Sequence, residues 1–255
     1  MNLVVLVHLL VNFYHSLPER ESFSVQTSIS RAQLEDFLPS PLILSSNSNS
    51  HNNYAPSGVV GSLNPCQEKR IVFIFVGGIR VVKNPLFLVS AFQEWHQKDP
   101  RVIYLMVGPR LEKKFSCDVF EPAVVRSPGV LYVPGLPISD VHSLVTHSTA
   151  LVNTSESEGM CLALLEAMQL GTPVLARDVP GNRAIVHDMH TGLLFDSPEN
   201  FLEKAMLLLE TPQLRASITT EAKTYVEKHH NINSEKQEYL QLLEECLHDF
   251  HRDRQ

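Results

Sequence analysis

The chain has 255 residues, of which 44% are hydrophobic and 19% are charged, a composition typical of folded globular proteins. At ~150 residues per domain, this length predicts one large domain with a shorter additional segment. The 21 Lys and Arg residues are outnumbered by 28 Asp and Glu, giving a net charge of -7, which argues against nucleic acid as a partner. The four cysteines form no CxxC pair, which argues against a structural zinc site or a dense disulfide framework.

The N-terminal segment contains an apolar run at residues 3–10 that fits either a signal peptide or a buried strand. No Lys or Arg precedes this run, and it is too short to cross a bilayer. These features favour a cytoplasmic location, with secretion as the alternative, and predict no transmembrane segment. Residues 37–67 carry no charged side chain, and their Ser/Asn-rich part, 45–53, is typical of a linker. We therefore divide the chain into an N-terminal segment, 1–67, and a domain, 68–255.

The domain alternates short apolar runs with helical patterns, which is typical of βαβ units around a parallel sheet. Sequence patterns typical of helices begin near Asn84-Pro85, Ser139, Met160 and Gly181. Strands are predicted at residues 71–76, 102–107, 130–133, 150–152 and 173–176. Because these strands are continuously apolar, the sheet should be buried on both faces. The predicted fold is α/β, a Rossmann-like parallel sheet with helices on both faces.

The C-terminal third reads as helical throughout. Ser197 and Thr211 each precede a proline, a pattern typical of an N-cap followed by a first-turn proline. Ser234 and Gln237 have the spacing of a capping box. We expect helices to begin at these three places.

The loop after the first strand contains Gly77, Gly78, Arg80 and Lys83. Glycines let a ligand approach the backbone, and the two cations could bind a phosphate. An ordinary turn with surface cations would have the same sequence. In an open parallel sheet, however, this end of a strand is where ligands bind.

A second candidate segment contains Glu158 and Glu166, separated by seven residues of largely helical text. A helix of that length spans about 12 Å, which exceeds the roughly 5 to 9.5 Å between the paired carboxylates of glycoside hydrolases. The spacing instead suits an elongated, hydroxyl-rich ligand. The alternative is that both glutamates are solvated helix residues. Free amides near Gly159, Met160 and Cys161 could bind an anion, while the Cys161 side chain is predicted to lie in the core.

A third loop, residues 178–182, also follows a predicted strand, and its residues suit either ligand approach or a simple turn. The histidines show no metal-ligand spacing, and no serine or cysteine lies in a GxSxG context. We therefore predict neither a metal site nor a protein nucleophile.

The segments EGMCLALLEAMQLGTPVLA, PGN, TGLLF and VGGIRVVKNPLFLVSAF together resemble the C-terminal, nucleotide-sugar-binding domain of retaining GT-B glycosyltransferases of the family-4 type (glycosyl transferases group 1). The resemblance extends from Ile71 to about His229. It implies that Glu158 contacts the hydroxyls of the donor sugar, that Glu166 contacts the ribose and that Lys83 contacts the diphosphate. It also places the amides of residues 159–161 against the sugar or phosphate.

The function implied by this resemblance is transfer of a hexosyl group, with retention, from a nucleotide-sugar to an acceptor that the sequence does not identify. The nucleotide-sugar is a substrate, and no separate cofactor is expected. One alternative is a non-catalytic module that binds a nucleotide-sugar or another protein. A sugar-nucleotide epimerase of similar architecture is disfavoured because two glutamates at this spacing are more typical of transferases.

The chain departs from the family pattern at several positions. Gly78 stands where the family has an arginine, although Arg80 follows two residues later. Met160 and Cys161 replace a Phe-Gly pair, and Ala184 replaces a glutamate. The residues before 68 are also too few for a complete first Rossmann-like domain, so we expect the N-terminal half of the GT-B fold to be incomplete.

Overall fold

The computed structural model describes residues 69–252, which contain a six-stranded, entirely parallel sheet. The strand order is β3-β2-β1-β4-β5-β6, the order of a doubly wound Rossmann-like sheet. The strands are β1 (Ile71–Val76), β2 (Val102–Val107), β3 (Val130–Val133), β4 (Ala150–Asn153), β5 (Val174–Arg177) and β6 (Leu193–Phe195). The predicted fold class is therefore confirmed. The apolar run at 3–10 and the Ser/Asn-rich stretch at 45–53 lie outside the described residues.

Helices connect the strands and form the C-terminal part of the domain. A 3-10 turn (Val81–Lys83) follows β1, and a π-helical segment (Ser116–Phe120) joins α2 to α3. The α-helices are α1 (Val89–Lys98), α2 (Lys113–Phe115), α3 (Glu121–Val125), α4 (Ile138–His147), α5 (Leu162–Leu170), α6 (Pro180–Arg183), α7 (Pro198–Glu210), α8 (Pro212–His229) and α9 (Ile232–Arg252). Between residues 69 and 252, no helix combines the length and the hydropathy that a bilayer span requires.

The sheet separates two hydrophobic cores. In β1, Val72 and Ile74 point into one core, and Phe73 and Phe75 point into the other. This division follows from the alternation of side chains along a strand. All six residues of β2 are buried, as expected for a central strand covered on both faces. The second core is rich in aromatic residues, with the Phe92 and Tyr104 rings stacked at 4.3 Å between centroids.

Three strands, β1, β2 and β3, have the predicted bounds. Strand β4 extends one residue further than predicted, to Asn153, and β5 is shifted by one residue, to Val174–Arg177. Polar side chains at these strand ends do not prevent sheet pairing there. Strand β6 was not predicted. It has three residues, too few to show a strand pattern in the sequence.

The helix predicted at Asn84 begins later. Asn84 has φ 41° and ends the 3-10 turn, so it cannot act as the extended N-cap of a helix, and α1 starts at Val89. The helix predicted near Met160 also begins later, at Leu162, because Cys161 is extended with φ -86° and ψ 97°.

The structure confirms two of the three helix starts predicted in the C-terminal third, one of them with its side-chain cap. The Ser197 cap is confirmed, since its side chain accepts a hydrogen bond from the Asn200 amide at 3.2 Å. Thr211 precedes α8 as predicted but makes no side-chain cap. The prediction of a capping box at Ser234 is wrong, because α9 begins at Ile232 and Ser234 therefore lies inside the helix.

The strand order creates a switch point between β1 and β4. These strands are hydrogen-bonded neighbours, but the chain leaves β1 toward β2 and β3 before it crosses back to β4. Ligands of doubly wound sheets bind outside the carboxyl ends of the strands at such a point. In this protein, the switch point lies between the loop that follows Val76 and the loop that follows Asn153.

Candidate functional site

The first loop continues the sheet beyond β1 and then presents Lys83. The amide of Gly77 donates to the Val107 carbonyl at 3.0 Å, and the amide of Ile79 donates to the Pro109 carbonyl at 2.8 Å. Gly78 lies beneath Leu111, so closely that a Cβ atom there would stand 2.3 Å from Leu111 Cδ1. The position at which the resemblance expects an arginine is therefore covered by an apolar side chain.

Three hydrogen bonds tie the second loop to the first. Thr154 Oγ1 donates to the Lys83 carbonyl at 2.9 Å. The Glu156 amide donates to the Val82 carbonyl at 2.9 Å, and Asn84 Nδ2 donates to Glu156 Oε1 at 2.9 Å. The two loops at the switch point are thus held as one unit, in which the position of Lys83 is fixed relative to the residues after β4.

The Glu158 carboxylate is the centre of the site. One of its oxygens, Oε1, accepts hydrogen bonds from Lys83 Nζ at 2.5 Å, Ser155 Oγ at 2.7 Å and Asn153 Nδ2 at 3.0 Å. The Lys83 side chain is 17% exposed and the Glu158 side chain is 7% exposed. Among residues 69–252, no donor bonds the other oxygen, Oε2, so it can accept a hydrogen bond from a ligand.

Burial alone would raise the pKa of Glu158, because it disfavours the charged form. The hydrogen bonds from Lys83, Ser155 and Asn153, together with the Lys83 charge, outweigh that effect and lower the pKa of Glu158 below its usual range. Glu158 is therefore ionised at neutral pH, and it forms a partly buried ion pair with Lys83.

The segment from Gly159 to the start of α5 offers free backbone donors. Within the described part of the chain, the N–H groups of residues 159–163 donate no hydrogen bond. The amides of Gly159, Met160 and Cys161 precede the helix rather than forming its first turn, as the later start of α5 requires. The Met160 side chain is 41% exposed, and Gly159 has open space around its Cα.

Cys161 lies in the core as predicted, with 5% of its surface exposed. Its Sγ atom accepts a hydrogen bond from Asn153 Nδ2 at 3.1 Å. Burial raises the pKa of the Cys161 thiol, and the nearby Glu158 charge raises it further. The thiol is therefore neutral at physiological pH and is a poor nucleophile.

Glu166 is on α5, and its side chain is 43% exposed. Its Oε2 atom lies 3.7 Å from Nε2 of His142 on the neighbouring helix α4. Glu166 is thus accessible to a ligand and faces an imidazole, which the sequence did not predict. Arg80, on the first loop, has a buried Nε atom without a hydrogen-bond partner among the described residues.

The third loop, whose sequence suits either ligand approach or a simple turn, contributes two residues to the site. A Cβ atom on Gly181 would lie 1.9 Å from the Glu158 carbonyl oxygen, so this loop packs directly against the second. Asn182 is fully buried, and its Nδ2 atom donates to Asn153 Oδ1 at 3.0 Å and to the Arg177 carbonyl at 2.9 Å.

Asn153, Ser155 and Asn182 were therefore missed as site residues. The position of Asn153 could have identified it as a site residue, because it is the last residue of a buried strand and polar groups there face the ligand edge of the sheet. Asn153 also begins a glycosylation sequon, but it is 5% exposed and Thr154 is fully buried. In the folded domain, the Asn153 side chain is buried and hydrogen-bonded within the site.

The doubly wound sheet, with a lysine–carboxylate pair and free amides at its switch point, defines a Rossmann-like domain with a polar site at the ligand edge. The family model of glycosyl transferases group 1 matches residues 64–225. The chain belongs to this family, as the sequence motifs predicted.

Glycosyltransferase 1 domain-containing protein 1 of Xenopus tropicalis is 40% identical to the chain over 172 residues, which are 68% of this chain and 50% of that protein. The chain thus spans about half the length of the curated relatives it matches. The trehalose synthase of Pyrococcus horikoshii is 26% identical over 163 residues, 61% of this chain and 39% of that enzyme.

Solved structures share the fold at low sequence identity. Alr3699/HepE of Anabaena, solved in complex with UDP, has a TM-score of 0.61 at 20% identity, over 69% of this chain and 49% of that one. The C-terminal domain of a group 1 glycosyl transferase (LpcC) from Francisella tularensis has a TM-score of 0.55 at 20% identity, over 64% of this chain and 86% of that one. The predicted resemblance to a GT-B glycosyltransferase domain is thus confirmed for family and fold.

Proposed function

We propose that this chain binds a nucleotide-activated sugar at the switch point and that, together with an acceptor-binding domain, it transfers the hexosyl group with retention. The observation that carries the proposal is the Lys83–Glu158 pair, placed between β1 and β4 with Glu158 Oε2 open to a ligand. Membership of the glycosyl transferases group 1 family supports a nucleotide-sugar as that ligand. UDP is the first nucleotide to test, because the similar HepE structure contains it.

In this proposal, each group has a separate role. Lys83 and Arg80 bind the diphosphate, and the free amides of residues 159–161 add hydrogen bonds to the phosphate or sugar. Glu158 Oε2 accepts a hydrogen bond from a sugar hydroxyl, and Glu166 accepts from the ribose. No divalent cation takes part in binding.

The chemistry proposed for the site is electrostatic. When the bond between the sugar and the diphosphate breaks, negative charge develops on the departing phosphate and positive charge develops on the sugar ring. Lys83 would stabilise the first charge and the ionised Glu158 the second. The buried, neutral Cys161 is not used as a nucleophile.

A second candidate function is a non-catalytic module that binds nucleotide-sugar or protein. Two observations favour it: Leu111 covers the position of the family's arginine at Gly78, and Ala184 stands where the family has a glutamate. Such a module would still bind nucleotide-sugar, or would bind a protein partner instead. Binding and transfer must therefore be measured separately.

The test is a thermal-shift panel of UDP, GDP, ADP and their glucose conjugates, with EDTA in one arm and Mg²⁺ in the other. Ligand at about 100 times its dissociation constant stabilises the folded state by ~2.7 kcal/mol. We expect a shift with one nucleotide series, equal in EDTA and Mg²⁺, that is lost in Lys83→Met and Glu166→Ala.

The matched control for Lys83→Met is Lys204→Met, which breaks the ion pair of Lys204 with Asp188, 2.9 Å long and away from the switch point. This variant should keep the ligand shift. Absence of any shift from the folded wild-type chain would contradict nucleotide-sugar binding. A shift without sugar transfer or donor hydrolysis, in the presence of the complementary domain, would favour the non-catalytic module.

A further inference from the structure

We propose that Asn182 and Asn153 form a carboxamide relay that positions Glu158, so that its Oε2 atom is the one offered to the sugar hydroxyl. The proposal rests on the proposed function, because it assigns Glu158 to the sugar part of the donor. Asn182 does not contact Glu158 directly. It is a positioning residue that acts through Asn153.

The relay begins on the third loop. Asn182 uses its side-chain NH2 group twice, toward Asn153 Oδ1 at 3.0 Å and toward the Arg177 carbonyl at 2.9 Å. Its own Oδ1 atom is buried without a hydrogen-bond partner among the described residues, which is costly for stability. An apolar side chain at position 182 would avoid that cost. We therefore attribute the presence of an asparagine at this position to the two hydrogen bonds that its NH2 group donates.

The orientation of the Asn153 carboxamide follows from that of Asn182. Asn153 Oδ1 accepts from Asn182 Nδ2 and also from the Ser155 amide at 3.0 Å. Its Nδ2 atom therefore faces the opposite way and donates to Glu158 Oε1 at 3.0 Å and to Cys161 Sγ at 3.1 Å. A reversed carboxamide would place an oxygen against the Glu158 carboxylate, where two acceptors repel.

The relay leaves the two oxygens of Glu158 in different states. Oε1 accepts from Lys83, Ser155 and Asn153, which uses its hydrogen-bonding capacity. Oε2 remains as the acceptor for a ligand. Because the carboxylate is ordered before the ligand binds, a sugar hydroxyl meets an acceptor that needs no reorganisation.

The first test is a double-mutant cycle with Asn153→Ala, Asn182→Ala and the double variant, in the full chain. We expect each single variant to weaken UDP-glucose binding about tenfold, the size of one lost hydrogen bond to a charged group. Affinity for UDP, which has no sugar, should change less than about threefold, on the order of 0.6 kcal/mol. Because Asn182 acts through Asn153, the double variant should bind UDP-glucose no more weakly than Asn153→Ala alone.

The second test does not depend on ligand binding. Carbon-13 NMR of the glutamate carboxyl groups, assigned with Glu158→Gln, gives the pKa of Glu158 in each chain. We expect Asn182→Ala to raise the pKa of Glu158, although Asn182 does not touch it. If Asn182→Ala does not fold, Asn182→Ser replaces it in both tests.

The control for lost buried hydrogen bonding is Thr172→Val, since Thr172 Oγ1 donates to the Val145 carbonyl at 3.0 Å and belongs to no part of the site. It should lower thermal stability without moving the pKa of Glu158 or the UDP-glucose affinity. An unchanged pKa of Glu158 in the folded Asn182 variant, or additive effects in the cycle, would overturn the relay. If wild type binds neither probe, the proposed function fails, and the relay is then decided by the pKa measurement alone.

Discussion

Gly181 and Glu158 approach so closely that no side chain fits between them. A Cβ atom on Gly181 would lie 1.9 Å from the Glu158 carbonyl oxygen and 2.9 Å from its Cβ atom. The first of these contacts is with backbone, which cannot rotate away as the end of a long side chain can. The third loop therefore restricts the position of the Glu158 backbone.

Gly181→Ala should both destabilise the domain and disturb the site. The added methyl group must push one loop away from the other, and overpacking of this kind costs about 1–3 kcal/mol. Urea unfolding measures that cost, and UDP-glucose titration measures the effect on the site. Gly135→Ala is the matched control, because no atom lies within 4 Å of a Cβ built at Gly135. Equal stability of the two variants would show that the loops are not in contact.

Lys83→Met should destabilise the domain more at neutral pH than in acid. The pKa of Glu158 is lowered in the folded state, so its ionised form stabilises the fold above the unfolded pKa of about 4.3, and this contribution is lost as the pH falls through the folded value. Without the hydrogen bond and the charge of Lys83, two of the effects that lower the pKa of Glu158 are lost, and this pKa rises. We expect a loss of about 1–3 kcal/mol at pH 7, shrinking toward zero below about pH 4.

The measurement is the free energy of unfolding in urea at several pH values between 7 and 3. Lys204→Met is the control for charge removal: Lys204 is 19% exposed, similar to Lys83, but the Asp188 carboxylate that it leaves is 40% exposed, and pairs with an exposed partner contribute about 0–1 kcal/mol. A loss in Lys83→Met that stays constant across this range would mean that the ion pair with Glu158 is not its source.

Local sequence was sufficient for the strands and for some helix starts. The continuous apolar runs of β1 and β2 begin after Arg70 and Arg101 and end before Gly77 and Gly108, so both ends of each strand are marked in the sequence. Ser197 caps α7 through a bond three residues away, to the Asn200 amide. In these cases the interaction that decides the structure lies within a few residues along the chain.

The site depends on contacts between distant residues, which local patterns do not contain. Lys83 and Glu158 are 75 residues apart, and they were assigned to one donor site by the family resemblance and by their place after strands of a parallel sheet, not by a local pattern. The sequence Pro-Gly-Asn fits either ligand approach or a simple turn, and no local pattern decides between them because the partner of Asn182, Asn153, is 29 residues away. Asn84 shows the converse case, since a contact with Glu156 replaces the local cap that its sequence predicted.

The end of α5 offers a test of backbone strain without steric crowding. Gly171 has φ 76°, and no atom lies within 4 Å of a Cβ built there. Gly171→Ala should cost about 1–2 kcal/mol, because an alanine is strained in the left-handed region. Gly171→Asn should cost less, since asparagine tolerates this region better. Thermal unfolding of both variants checks the order, and an alanine variant as stable as wild type would contradict it.

Leu111 should decide whether the arginine expected from the family can be accommodated at Gly78. The Leu111 side chain would lie 2.3 Å from a Cβ atom on Gly78, but its methyl end can move if space is made. Gly78→Arg alone should destabilise the domain by about 1–3 kcal/mol and leave UDP affinity no stronger than in wild type. In the Leu111→Ala background, the same substitution should cost less stability and should strengthen UDP binding, because a third cation, in addition to Lys83 and Arg80, then reaches the diphosphate.

The four chains of this cycle are compared by urea unfolding and by UDP titration. The coupling energy for stability should be on the order of 1 kcal/mol, as for residues in direct contact. Its sign should be favourable, so that the double variant is more stable than the sum of the two single effects predicts. If Gly78→Arg strengthens UDP binding while Leu111 is unchanged, Leu111 does not prevent an arginine at position 78 from reaching the ligand. Such a result would also mean that the first loop can open further than its bonds to Val107 and Pro109 allow.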